Sequence, residues 1–173
     1  MQSLTSNMKK FFIITNEHKD MNLAVTNAIS DYIIAKGGTC MHYVSTKSGW
    51  SDRNLRRFQP SDIDADCIIV LGGDGTLVRA ARDMASIGIP LIGVNMGTLG
   101  YLCELERCTV YDAIDRLFED RYELEERMLI KGSSQKDGSG KATFALNDIV
   151  IHRTGLPQIV NLIVSVNGEY LAN

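Results

Sequence analysis

The chain has one tryptophan, three prolines and no apolar run long enough to cross a membrane, a task for roughly 20 consecutive apolar residues. It has no basic excess: 18 Lys and Arg stand against 21 Asp and Glu, a net charge of −3, and the basic residues form no sustained run. That balance argues against a general nucleic-acid binder, so any anionic ligand has to be held by local groups. Metal-type spacing is missing too. Cys40, Cys67, Cys103 and Cys108 are not spaced as zinc pairs, and His18 and His152 have no metal-like partners at useful spacing. Nor is the chain short or cysteine-dense enough for a disulfide scaffold, so the thiols read as buried or free in a reducing cytosol. Near the N-terminus, two lysines precede a four-residue apolar run, Phe11 to Ile14, too short for the core of a signal peptide. These features together give a cytoplasmic expectation.

What is present is an ordinary globular composition, 173 residues with 45% hydrophobic and 23% charged, enough for one domain, or one domain and part of another. The chain is organised around Cys67 to Leu102. A continuous apolar run, Cys67 to Leu71, has the length of a buried strand and breaks into Gly72, Gly73, Asp74, Gly75 and Thr76, after which Leu77, Ala80, Ala81, Met84 and Ala85 mark one helix face. Glycines there let the backbone fold sharply and come close to a ligand. A helix starting at that point aims free N–H groups and its positive dipole end at the same spot, which suits phosphate. An aspartate among them is out of character, because its charge opposes an anion unless it binds a metal ion or takes a proton.

The rest of the chain supplies a frame. Phe11 to Ile14 reads as a strand, Asp20 to Lys36 as an amphipathic helix capped by Asp20 and ended by Gly37 and Gly38, and Thr39 to Val44 as a second strand. Ser45 to Asp66 is a polar connection with a short helical turn expected around Asn54 to Phe58, and its Trp50 reads as packed or exposed rather than as a cover for a ligand. After the central strand and helix, Pro90 launches a buried run, Leu91 to Val94, and a second glycine-bearing loop, Asn95 to Gly100. Thr109 to Asp112 has the form of a capping box ahead of a third helix. This is the grammar of a parallel α/β sheet over residues 1–121. Past Arg121 it changes: Tyr122 to Lys131 alternates, Ala142 to His152 and Gln158 to Val166 are β-rich, and Asn167–Gly168 is a strong hairpin signal. Residues 122–173 therefore read as the start of an all-β domain. Two or three strands exposing both edges make a sticky ending, so the chain is expected to be a fragment.

GGDGT is neither a dinucleotide fingerprint, G-x-G-x-x-G, nor a P-loop, since no G-K-[ST] follows. Its place between a strand and a helix is where open α/β sheets bind ligands. A kinase needs a cradle for phosphates, a counter-charge usually supplied by Mg²⁺, and a group that orients or deprotonates the attacking hydroxyl. Gly72, Gly73, Gly75 and the N–H groups around Thr76 can form the cradle, Asp74 can serve as the base, and Arg79 is within reach of a phosphate.

Three segments in order, IIVLGGDGT (Ile68 to Thr76), GVNMGTLGYL (Gly93 to Leu102) and ALNDIVIHR (Ala145 to Arg153), together resemble the NAD kinase family. GGDGT alone is shared with diacylglycerol and sphingosine kinases and, shortened, with phosphofructokinases. The resemblance implies a phosphofructokinase-like α/β domain joined to a β-rich domain, with the dinucleotide bound between them. It implies transfer of the terminal phosphate of ATP, or of polyphosphate, to the 2′-hydroxyl of the adenosine ribose of NAD, giving NADP. On the matched positions, Asp74 would be the proton acceptor with Gly73, Gly75 and Thr76 beside it, and Arg79 and the aromatic Tyr101 would contact the dinucleotide. Asn147 and Asp148 match a substrate-binding pair that is usually Asn-Glu, and the departure at Asp148 shortens that carboxylate by one methylene. The family's Thr-Pro-Thr-Gly-Ser-Thr-Ala-Tyr segment would fall after Asn173, so the chain alone is expected to have little activity. The resemblance also implies a homo-oligomer for a full-length protein. A diacylglycerol-type lipid kinase and a non-catalytic nucleotide-sensing module are the alternative readings.

Overall fold

The computed structural model describes residues 7–45, 60–98, 100–133, 142–151 and 161–172. Strands β1 (Lys10–Asn16), β2 (Thr39–Ser45), β3 (Cys67–Gly72), β4 (Leu91–Asn95) and the two-residue β5 (Leu105–Glu106) form one parallel sheet in the order β2-β1-β3-β4-β5. Helices α1 (Ala24–Ala35), α2 (Asp74–Met84) and α3 (Val110–Phe118) make the crossovers and the cover.

The two-residue period of the central strands sorts the core onto two faces. Phe11 and Ile13 of β1 join Cys67, Ile69 and Leu71 of β3 under α1 and α3, where Ile29, Ile33, Ile114 and Leu117 close the layer. Phe12, Ile14, Ile68 and Val70 face the other way, onto Ala80 and Met84 of α2. All six residues of β3 are buried, as a strand covered on both faces requires. Truncating Ile69, 1% exposed in the middle of that strand, to alanine is expected to cost about 2–5 kcal/mol, read as a lower denaturation midpoint with an unchanged slope.

The expected β-α-β frame is present, with local differences. Helix α1 starts later than the sequence pattern predicts, because Met21–Leu23 forms a separate 3-10 turn in which Asn22 and Leu23 take left-handed backbone angles. Asp20 still caps it: its carboxylate accepts the N–H groups of Val25 at 2.9 Å and Thr26 at 2.8 Å across that turn. The capping box at Thr109 does not form. No side chain caps α3; the Thr109 hydroxyl instead accepts the Glu106 N–H at 3.0 Å and so closes the turn after β5.

Beyond α3, residues 121–129 adopt no regular element, so the alternation of Tyr122 to Lys131 does not become a strand until β6 (Ile130–Ser133). A strand needs a partner for its backbone groups, and β7 (Ala142–Ala145) is only long enough to pair those four residues. The β-rich runs are likewise strands only in part, β7 for the first and β8 (Val164–Val166) for the second. Asn167 and Gly168, with φ of 53° and 88°, make the expected tight turn from β8 into β9 (Glu169–Ala172). These two antiparallel pairs fit a partial second domain; Val166, Tyr170 and Leu171 among them are exposed. Trp50, His152 and the helical turn expected around Asn54 to Phe58 lie outside the described residues. No described helix is long and apolar enough to cross a membrane.

Candidate functional site

In a sheet ordered β2-β1-β3-β4-β5, the chain turns one way from β1 and the other way from β3, so the loops leaving these two strands diverge and open a crevice at their carboxyl ends. A cleft of about 410 Å³ lies there. It is lined by Asn16 and Lys19 after β1, Ser45 at the end of β2, Gly73, Asp74, Gly75, Thr76 and Arg79 after β3, and Thr98 and Gly100 after β4. The Asn16 side-chain amide donates to the Thr76 hydroxyl at 3.3 Å and bridges the point of divergence.

Gly73 is the extended residue ahead of α2, and its carbonyl accepts the Thr76 and Leu77 N–H groups at 2.8 and 3.1 Å. No side chain caps this helix, which leaves first-turn N–H groups for a ligand. The glycines divide their work differently from the sequence expectation. Gly72 is a buried strand residue whose missing Cβ makes room for the Thr76 side chain, so it packs the turn rather than lining the cradle. Above Gly75 the space is open, and close approach of a ligand is possible there.

Asp74, in the first turn of α2, points its carboxylate at the second glycine-bearing loop. It accepts the Tyr101 N–H at 2.8 Å and the Leu102 N–H at 3.2 Å. A Cβ on Gly100 would fall on both carboxylate oxygens, so this approach requires glycine. The Tyr101 N–H, against the opposing effect of desolvation and helped by the Leu102 N–H and by Cys103, holds the Asp74 carboxyl below its ordinary value. It is ionised at neutral pH. Its two oxygens still have acceptor positions beyond the two backbone bonds. Burial, and then the Asp74 carboxylate beside it, push the Cys103 thiol up.

The β1 side of the cleft is held by a buried polar knot. The Asp20 carboxylate accepts the Thr26 hydroxyl at 2.6 Å besides the two N–H groups of α1, and the Thr26 and Thr15 hydroxyls are 2.6 Å apart. Burial pushes the Asp20 carboxyl up, but the Thr26 hydroxyl and the Val25 and Thr26 N–H groups more than offset it and leave it below its ordinary 3.8. Asp20 therefore stabilises the fold above its unfolded pKa, and this contribution is lost as the pH falls through the lower folded value. Asp20→Ala is expected to cost about 1–3 kcal/mol at pH 7, since buried donors lose their acceptor, with the gap to wild type narrowing in acid; denaturant titrations at both pH values check this.

Of the residues singled out in the sequence, Gly73, Asp74, Gly75, Thr76 and Arg79 come together in the cleft. Tyr101 adjoins it through its backbone, and its ring is fully exposed. Asn147 and Asp148 are exposed in the bend after β7 and are not among the lining residues. Lys19, Asn16 and Arg107 were not legible as site residues. Among the described residues, no group of three or more His, Cys, Asp or Glu could hold a metal ion, and the four cysteines are free thiols.

Residues 11–122 match the family model described as the ATP-NAD kinase N-terminal domain. The NAD kinase of Agathobacter rectalis is 52% identical over 168 residues, covering 96% of this chain and 58% of that protein. The NAD kinase of Lachnoclostridium phytofermentans is 40% identical over 169 residues, with coverages of 96% and 58%. The chain thus spans 58% of the length of each of these relatives. Among solved structures, the yeast NADH kinase complexed with NADH matches over 99% of this chain and 59% of its own at a TM-score of 0.62 and 18% identity, a likeness of fold. These matches do not favour a diacylglycerol-type lipid kinase, although that class shares the glycine loop. A family model laid over the whole parallel sheet, and relatives of such identity along nearly the whole chain, show that the chain belongs to the NAD kinase family.

Proposed function

We propose that the chain carries the phosphoryl-transfer half of an NAD kinase, which moves the terminal phosphate of ATP, or of polyphosphate, to the 2′-hydroxyl of the adenosine ribose of NAD and makes NADP. The observation that carries this reading is Asp74, an ionised carboxylate fixed between a helix N-terminus and a second glycine-bearing loop at the switch point of the sheet. Donor phosphates seat on the uncapped start of α2 around Gly73, Gly75 and the Thr76 hydroxyl, where the N–H groups ahead of Thr76 and the dipole favour negative charge. Asp74 accepts the proton of the attacking hydroxyl through an acceptor position left over from its backbone bonds. Fixed by two N–H donors, it needs no reorganisation before it does so.

The described residues bring together no three His, Cys, Asp or Glu side chains that could hold a metal ion. A divalent cation, Mg²⁺ above all, would arrive on the donor phosphates, neutralising charge. Arg79 and the exposed ring of Tyr101 would contact the dinucleotide, and Asn147 with Asp148 would bind its ribose. In this reading residues 1–121 form the α/β domain and residues 122–173 begin the β-rich dinucleotide-binding domain of a cytoplasmic homo-oligomer. The relatives' names support NAD as acceptor. The test is an acceptor comparison with the intact protein as the cell makes it: ATP labelled in its terminal phosphate is offered with NAD or with diacylglycerol. Label in NADP supports the proposal, and label in phosphatidate contradicts it.

A further inference from the structure

The loop leaving β1 brings into the cleft a cation that the glycine motif does not account for. The Lys19 Nζ lies 3.5 Å from where a Cβ on Gly73 would be and 2.7 Å from where one on Gly97 would be. The second distance is closer than real Cβ atoms come, so a side chain at position 97 would push the end of the lysine aside from the place it holds beside glycine. It therefore spans the two glycine-bearing loops, after β3 and after β4, within the same cleft as Thr76, Ser45 and Thr98.

The backbone that carries Lys19 is held from several sides. The Lys19 and Asp20 N–H groups donate to the Asn16 carbonyl at 2.9 and 3.2 Å, and the buried Asp20 carboxylate ties the next turn to α1. The Arg107 guanidinium donates to the Lys19 carbonyl at 3.4 Å and to the Met96 carbonyl at 3.5 Å, strapping the β1 loop to the β4 loop. None of the ion pairs found among the described residues uses Lys19. The Asp74 carboxylate, meanwhile, is turned toward Tyr101 and Leu102. The cleft thus carries the Lys19 ammonium between the Gly73 and Gly97 loops, besides Arg79 on α2, and turns the Asp74 carboxylate toward the Gly100 end.

We infer that Lys19 binds the phosphate chain of the phosphoryl donor, clamping it from the β1 side against the first turn of α2. This rests on the phosphotransferase reading above. An ammonium is a compact point charge that suits a phosphate oxygen without demanding planar geometry. It also supplies positive charge where the chain's own net charge is −3 and cannot steer an anion globally.

The test compares Lys19→Met and Lys19→Arg with wild type in the intact protein, using steady-state kinetics with MgATP and NAD varied separately, and calorimetric titration of MgATP without NAD. Lys19→Met is expected to raise the KM for ATP and its dissociation constant about tenfold, the worth of one charge-assisted contact, with the KM for NAD within twofold. Lys19→Arg, which keeps the charge, is expected to recover most of the loss. With inorganic polyphosphate as donor the same shift is expected in the polyphosphate KM. An ATP KM and dissociation constant within twofold of wild type in Lys19→Met, or a parallel rise in the KM for NAD, would overturn the assignment. If wild type binds MgATP but does not phosphorylate NAD, the acceptor reading fails by itself, and the titration still decides whether Lys19 holds the donor.

Discussion

If Asp74 is the proton acceptor of the proposed phosphoryl transfer, replacing it by asparagine is expected to lower kcat by about 10²–10⁴-fold, the usual contribution of a positioned general base, while MgATP binding changes only a few-fold. The size follows from what the carboxylate does in the cleft. Its two oxygens accept the Tyr101 and Leu102 N–H groups and keep a further acceptor position for a hydroxyl proton. An asparagine can accept one of those N–H groups but turns its own NH₂ toward the other, so it loses basicity and loosens the loop together. Steady-state kinetics beside calorimetry separates the two effects. A non-catalytic nucleotide sensor would keep its function in this variant. The pH profile adds an independent mark: because the backbone donors hold Asp74 below its ordinary value, activity governed by its ionisation should persist below the usual carboxylate range and fall only in stronger acid.

Gly100→Ala is expected to lower kcat by about 10–100-fold with the fold intact. The added methyl would land on the Asp74 carboxylate, so either that side chain turns away from the Tyr101 and Leu102 N–H groups or the loop is pushed off. A displacement on the order of 1 Å at a reacting group costs about 10²-fold when the chemistry depends on positioning. Loss of the Tyr101 and Leu102 N–H bonds also returns the Asp74 carboxyl toward its ordinary value, so the acid limb of the pH profile should move up. The two signs make this variant informative: a drop in kcat without that shift would mean that Gly100 acts on something other than Asp74. Thermal unfolding of the variant, compared with wild type, checks that the sheet is unaffected.

The pairing of Gly100 with Asp74 also marks the limit of what the linear chain discloses. Asp74 and Tyr101 are 27 residues apart, and nothing local says that the second glycine-bearing loop exists to hold the aspartate of the first. The parallel frame was legible because its signals are local: apolar runs of strand length, helix faces at period 3.6, and glycines at the breaks. Gly37, with φ of 83°, ends α1 as its position suggests. Two-residue β5 was not, since a strand that short is defined by the edge of β4 and not by its own composition. Thr109 has a capping residue's identity, yet its hydroxyl is taken by the turn that precedes the helix. Gly72 looked like part of a phosphate cradle, whereas its lack of a Cβ serves Thr76. Lys19 has no local mark of a site residue; only the fold of the Asn16–Asp20 turn and the strap from Arg107 bring its backbone to the edge of the cleft. The one cue available was its location just past the carboxyl end of a strand that borders a switch point.

In the proposed function, the cleft at the ends of β1, β3 and β4 serves phosphoryl transfer to a ribose hydroxyl, with Asp74 as proton acceptor. Phosphorus NMR of the products made by the intact protein from ATP and NAD tests it most directly. A new 2′-phosphate monoester resonance on the adenosine ribose is expected, growing in step with ADP and at least about 10²-fold more slowly with Asp74→Asn. ADP formed without that resonance, or the resonance formed at an undiminished rate by the Asp74→Asn protein, would contradict it.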